Sequence, residues 1–261
     1  DGEMAKFIGE ADVIFCMDFN QINRLDRVTD TATANTTAQR VLIDHHLHPP
    51  VDGYTVQFSD THSCSTSYIV YQLIEALAGT DAIDQAMAEA LYVGIMTDTG
   101  NFSFSNLTSD LFRAVAVLID RGVNVPYVNS SVYDNFSEGR MRLLGYMLND
   151  KMVTDYRYGV AYVSLTEEEM RRFNFIQGDS EGFVNYPLSI RGIRMSAMFI
   201  QTKHSIRVSL RSRGSDVDVN VFARRYFDGG GHRNAAGGKS YVSMDETLKN
   251  FHTYLKEYFG A

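Results

Sequence analysis

The sequence predicts an α/β protein in two parts: a first domain built on a parallel sheet, then a smaller, mostly antiparallel α+β domain. Three observations carry this. Through about residue 122, short apolar runs alternate with capped amphipathic segments, the pattern of βαβ units. Beyond that point strand-like runs follow one another closely. At 261 residues, 44% hydrophobic and 21% charged, the chain is also long enough for two cores. The expected division is residues 1–135, a connecting helix over 136–150, and residues 151–261.

The elements follow in order. Residues 11–17, "ADVIFCM", are a short apolar run read as a parallel strand ending at Asp18, with Asp1 and Glu3 upstream in a helix or linker. The Thr/Ala-rich stretch 29–39 is a surface loop or a helix; its composition leaves both open. Residues 41–43 form a second strand that runs into Asp44. "CSTSYIVYQLIEALAG" is a helix that Ser65 or Thr66 can cap and Gly79 stops. Residues 82–102 give another helix, running into Asp98 and Gly100, and residues 108–122 a third, capped by Thr108 or Ser109 and stopped by Gly122. The second half offers strand-like runs at 153–165, 192–201 and 205–212, with helices at 166–173, 216–227 and 244–259.

Composition excludes several roles. No apolar run reaches the roughly 18–20 residues that span a bilayer, and no signal segment opens the chain. Cys16 and Cys64 sit in apolar or helix-start surroundings, as buried free thiols in a reducing, cytoplasmic setting would. A net charge of −8 argues against nonspecific coating of nucleic acid. Yet ten Lys and Arg lie between Arg191 and Lys239 against Asp216, Asp218 and Asp228. A basic lobe on an acidic chain suggests a small anionic ligand held in one place.

The first half places acids at element edges: Asp18, the Asp44-His45-His46 triplet, and Asp98 in "GIMTDTGNFSF". In an open parallel sheet, ligand sites form outside the carboxyl ends of the strands, so Asp18 and the triplet converge if their strands are neighbours. Carboxylates with imidazole and no thiolate suit Mn²⁺ or Mg²⁺ rather than structural zinc. The second half offers "FDGGGHRNAAGGKS". Gly229, Gly230 and Gly231 let backbone approach a ligand and are expected to open a helix whose N–H groups face an anion, with a hairpin turn as the alternative. His232, Arg233 and Asn234 supply donors, and Arg207 and Arg211 fall on one face of a strand.

The succession "IDHH", "GIMTDTGNFSF", "GGGHRNAAGG" resembles the DHH phosphoesterase superfamily in the subgroup with a DHHA1 domain, and most of all its oligoribonuclease/pAp phosphatase (nanoRNase) branch. The resemblance implies a DHH catalytic domain and a DHHA1 substrate-binding domain with the active cleft between them, and two Mn²⁺ ions in the first, Mg²⁺ being the alternative. It implies Asp18 as the bridging metal ligand and His45 and Asp98 as ligands of the second metal. It implies His46 against the scissile phosphate and Asp44 orienting a histidine, with Gly229–His232 and Arg211 holding substrate. Arg233 and Asn234 are added on chemistry alone. Ser65 and Thr66 in "CSTSY" match a family segment near the cleft, but plain helix capping is the expectation for them.

One departure stands out. The family carries an early His-x-x-x-Asp-x-Asp motif upstream of the residue matching Asp18, and the sequence shows none there. The expectation is that the parent protein has it and that this stretch alone binds metal weakly and hydrolyses poorly. The parent is then expected to be a cytoplasmic metal-dependent phosphodiesterase acting on short single-stranded RNA and on 3′-phosphoadenosine 5′-phosphate (pAp), without a membrane partner. The alternatives are a cyclic-dinucleotide phosphodiesterase, a polyphosphate or pyrophosphate hydrolase, and a non-catalytic module that binds nucleotides or RNA ends. Oligomeric state, a homodimer included, is not legible.

Overall fold

The computed structural model describes residues 2–103 and 106–260. Asp1, Phe104, which closes the "GNFSF" motif, Ser105 and Ala261 lie outside the described residues. The chain divides between Asp134 and Asn135 into two units.

In the first unit, α1 (Gly2–Glu10) buries no residue and leads to β1 (Val13–Met17), after which a 3₁₀ turn and α2 (Thr29–Ala34) lead to β2 (Gln39–Asp44) and β3 (Val56–Ser59). Stretch 29–39 thus resolves as a short helix followed by Asn35, which ties the region together. Its Nδ2 donates to the Ile8 and Ala11 carbonyls and its Oδ1 accepts from the Thr37 and Ala38 amides. The strands are parallel in the order β1-β2-β3. Their register lines up Phe15, Val41 and Val56 in one row and Met17, Ile43 and Phe58 in the next. Cys16, Leu42 and Asp44 occupy the opposite face and are buried.

Four helices complete this unit: α3 (Thr66–Ala78), α4 (Gln85–Asp98), α5 (Ser109–Asp120) and α6 (Val125–Tyr133), capped by Ser65, Asp84, Thr108 and Asn124. Each cap side chain accepts a backbone N–H of the first turn, satisfying a donor the helix cannot. Their core is Tyr71, Ile83, Leu91, Ile95, Leu111 and Leu118 with smaller neighbours.

The second unit opens with α7 (Glu138–Tyr146), which continues as a π turn over Met147–Lys151. Then come β4 (Val153–Asp155), β5 (Val160–Leu165), α8 (Glu167–Arg172), a 3₁₀ turn at Phe183–Ser189, β6 (Met195–Gln201), β7 (Ile206–Ser212), α9 (Val219–Tyr226), β8 (Gly230–His232), β9 (Ala235–Ser240) and α10 (Met244–Phe259). The sheet runs β4-β5-β6-β7-β9-β8 and is antiparallel except between β5 and β6. One face packs Val160, Met195, Phe199, Val208 and Leu210 against Phe222 of α9 and Phe251 of α10. The other packs Val163, Leu165, Met198 and Ile200 against Leu143, Leu144 and Met147. The segment expected to connect the two parts therefore supplies core to the second. Arg140 anchors it, buried against the Phe136 and Phe183 rings and donating to the Asp179 and Glu181 carbonyls.

The glycine run corrects an expectation: it opens no helix. Gly230–His232 is β8, antiparallel to β9. The reason is steric. A Cβ on Gly229 would lie 2.0 Å from the Gly237 carbonyl oxygen, and one on Gly231 2.5 Å from that of Ala235. Only glycine lets these backbones meet.

No helix among the described residues is long and apolar enough to cross a membrane. Cys16 and Cys64 are buried free thiols, and burial pushes both pKa values up, so neither is an activated nucleophile.

Candidate active site

Asp18 is the first residue past β1, in a left-handed conformation at φ 63°. That backbone is costly for a non-glycine residue and marks positions the surroundings hold in place. Two bonds do so here: the Asp18 amide donates to the Ile43 carbonyl at 3.1 Å, and the Thr66 hydroxyl donates to Asp18 Oδ1 at 3.0 Å. Because β1 and β2 are parallel neighbours, Asp18 and the triplet beginning at Asp44 share one rim, as their strand-end positions predict. Asp98 reaches the same rim as the last residue of α4, rather than from beyond it.

His45 lies at the centre. Its Nδ1 is 3.3 Å from the Ser63 carbonyl oxygen, an acceptor, so the proton is assigned to Nδ1 and the lone pair to Nε2. Nε2 stands 3.6 Å from Asp18 Oδ1 and 3.8 Å from Asp98 Oδ2. These separations are too long for hydrogen bonds. They suit donors on a common ion, since two ligands each about 2.1 Å from a cation lie roughly 3–4 Å apart. Burial, and then the charge of Asp18, push the Asp98 pKa up; two carboxylates held this close are relieved by a cation. Asp18, His45 and Asp98 therefore fit a divalent metal on donor chemistry and on spacing.

His46 is oriented separately. Its Nδ1 meets Asp44 Oδ1 at 2.6 Å, and Asp44 is fully buried at the end of β2. That hydrogen bond raises the His46 pKa against the opposing effect of burial. Asp18, Asp44 and His46 form a second possible donor group, but there Nδ1 and Oδ1 are already paired. Asp44 Oδ1 lies at hydrogen-bond distance from the His46 ring.

In the second unit, Arg211 on β7 is half-buried, its Nη1 donating to the Leu210 carbonyl at 2.9 Å, and burial lowers its pKa. Gly229 and Gly230–His232 enter the hairpin with β9, and the Gly231 amide donates to Asn220 Oδ1 at 3.0 Å. Arg233 Nη2 donates to the Ser215 carbonyl. Asn234 Nδ2 donates to Ser212 Oγ and the Gly214 carbonyl, both at 2.9 Å, so both its amide hydrogens serve the unit itself.

Three contributors escape a sequence reading. Thr66 grips Asp18 while Ser65 alone caps α3. Asn220, buried in α9, fixes the glycine strand and also accepts from Arg224 Nε at 3.1 Å. Arg224 thereby lies beside Gly230. The available signal was a buried asparagine on the apolar face of an amphipathic helix.

This architecture and rim define a class. The model of the DHH family N-terminal domain matches residues 1–95, and that of the DHHA1 domain matches residues 155–261. The chain belongs to the DHH family, in the subgroup with a DHHA1 domain, among hydrolases acting on phosphoester bonds.

Individual relatives narrow the comparison. The chain is 29% identical over 253 residues to the bifunctional oligoribonuclease and PAP phosphatase NrnA of Bacillus subtilis, covering 94% of this chain and 76% of that protein. It is 26% identical to the cyclic-di-AMP phosphodiesterase GdpP of the same organism, covering 89% of this chain and 34% of that protein. Among solved structures, an exopolyphosphatase-related protein from Bacteroides fragilis superposes with a TM-score of 0.93 at 38% identity, over 98% of this chain and 74% of that one. The chain spans 62% and 56% of the NrnA proteins of Streptococcus mutans and Thermus thermophilus.

Proposed function

We propose that the protein hydrolyses phosphoester bonds of short oligoribonucleotides, and converts pAp to AMP, at the rim formed by Asp18, His45 and Asp98. The observation that carries this is His45 Nε2 set between two carboxylates at 3.6 and 3.8 Å. These three residues would hold a divalent ion, Mn²⁺ or Mg²⁺. When bound, such an ion lowers the pKa of water and polarises a phosphoryl oxygen. The resemblance to the family adds a second ion.

The chain's own groups do the rest. Ser63 fixes the His45 tautomer through its carbonyl, and Thr66 fixes the Asp18 carboxylate. Asp44 holds the His46 proton at Nδ1, which aims Nε2 so that in the imidazolium form its N–H donates to a phosphoryl oxygen. In the second unit, Arg211, His232, Arg233 and the backbone of Gly229–Gly231 are assigned to the nucleotide's phosphates. Asn234 is assigned to support Arg233 and the adjoining turn.

Likeness to NrnA supports this over its rivals, and likeness to GdpP supports a cyclic dinucleotide as the second reading. Turnover of an RNA pentamer, pAp and cyclic di-AMP, side by side with Mn²⁺, separates them. Release of mononucleotides and of phosphate from the first two is expected. Hydrolysis of cyclic di-AMP alone would move the assignment to the second reading, and turnover of none would overturn both.

A further inference from the structure

The sheet of the second unit carries an unused feature. On β7, Arg207, Ser209 and Arg211 share a face, and β9 pairs them with Lys239, Gly237 and Ala235. Arg207 and Lys239 are thus directly opposite and both exposed. Like charges at such a position destabilise a sheet unless an anion relieves them. No ion pair among the described residues involves Arg207, Lys239 or Arg211. Arg207 is nevertheless held, its Nη2 donating to Ser180 Oγ at 2.8 Å.

Between the two basic positions the surface is made small by Ser209, Gly237 and Ala235. Arg207 and Arg211 are four residues apart on one strand, a separation of roughly 13 Å along it. The result is a low floor with positive charge at both ends, longer than one phosphate group needs.

We infer that the β7–β9 face is a phosphate track for single-stranded RNA longer than a dinucleotide, in which Arg211 takes one phosphate and the Arg207–Lys239 pair takes another further along the strand. This rests on the oligoribonuclease reading, and it assigns Lys239 a role in substrate length. Affinity should gain from added nucleotides until the pair is engaged, then level off.

The test is binding of fluorescein-labelled RNA dimer and pentamer, read by anisotropy, with Lys239→Ala and Lys239→Arg beside the wild type. Lys239 is exposed and outside the core, so its replacement leaves the fold intact. The pentamer should lose about 5–10-fold in affinity in Lys239→Ala while the dimer changes less than about twofold, with a shallower salt dependence for the pentamer only. Lys239→Arg should restore pentamer binding. Equal losses for both lengths, or no loss for either, would overturn the track. Length-dependent loss in a protein that binds RNA but does not cleave it would uphold the track and overturn the hydrolysis reading. A wild type that binds neither RNA would overturn both.

Discussion

The two sheets differ in how they are supported. The six-stranded sheet of the second unit packs helices on one face and α7 with a 3₁₀ turn on the other, and β5 and β6 are buried along almost their whole length. The three-stranded sheet of the first unit buries Cys16, Leu42 and Asp44 on one face, while on the other Ile43 is buried but Val13, Phe15, Met17, Val56 and Phe58 are exposed. Parallel sheets ordinarily have both faces covered. Yet the left-handed Asp18 and the Asp44-His45-His46 triplet stand at the strand ends of this less supported sheet, with Asp98 added from α4. The first unit's stability lies in its four-helix core, and its rim is held by individual hydrogen bonds. The second unit is a scaffold, with its phosphate-binding candidates along one hairpin.

Equivalent substitutions in the two sheets should expose that difference most sharply. Phe199→Ala, at a site with no exposure, should cost about 3–5 kcal/mol of the second unit's stability in urea unfolding. Phe15→Ala, at a site 62% exposed, should cost less than about 1 kcal/mol. Equal costs would break the comparison.

Acid should act on the second unit through Glu169. Burial acts to raise its pKa, but hydrogen bonds from Lys151, Thr166 and Tyr146 outweigh this and hold it at about 2 against a usual 4.5. A depressed carboxyl pKa contributes stability above pH 4.5, and that contribution is lost as pH falls toward 2, about 2–3 kcal/mol in all. In Glu169→Gln the unfolding midpoint should vary less over this range than in the wild type. An unchanged pH dependence would remove Glu169 from the account.

A smaller effect is expected at Thr66. Thr66→Val keeps the shape but removes the hydroxyl that holds Asp18, and should reduce turnover about tenfold with the α3 cap at Ser65 intact. Thr66→Ser should restore it. Loss of α3 helicity in Thr66→Val would instead mean the residue serves the helix.

Much of the rim is legible in the sequence, because strand ends and the parallel arrangement follow from local pattern. Asp18 and Asp44 close apolar runs, and neighbouring parallel strands bring their ends together. What the pattern withholds is long-range pairing. Ser65 and Thr66 are equivalent as caps until Asp18 is in place, and only then does Thr66 have a second partner. The glycine run suits a helix opening or a hairpin equally; the close approach of β9 decides for the strand. β3 is missed because four residues of mixed polarity carry little signal alone, whereas α6 has a readable one in Asn124 followed by Pro126.

The most direct measurement is calorimetric Mn²⁺ binding to wild type and His45→Ala, with RNA pentamer turnover on the same samples. The account predicts saturable Mn²⁺ binding that His45→Ala abolishes, turnover falling at least about 100-fold where the wild type is active, and an unchanged circular dichroism spectrum. Mn²⁺ binding and turnover that survive His45→Ala would contradict it.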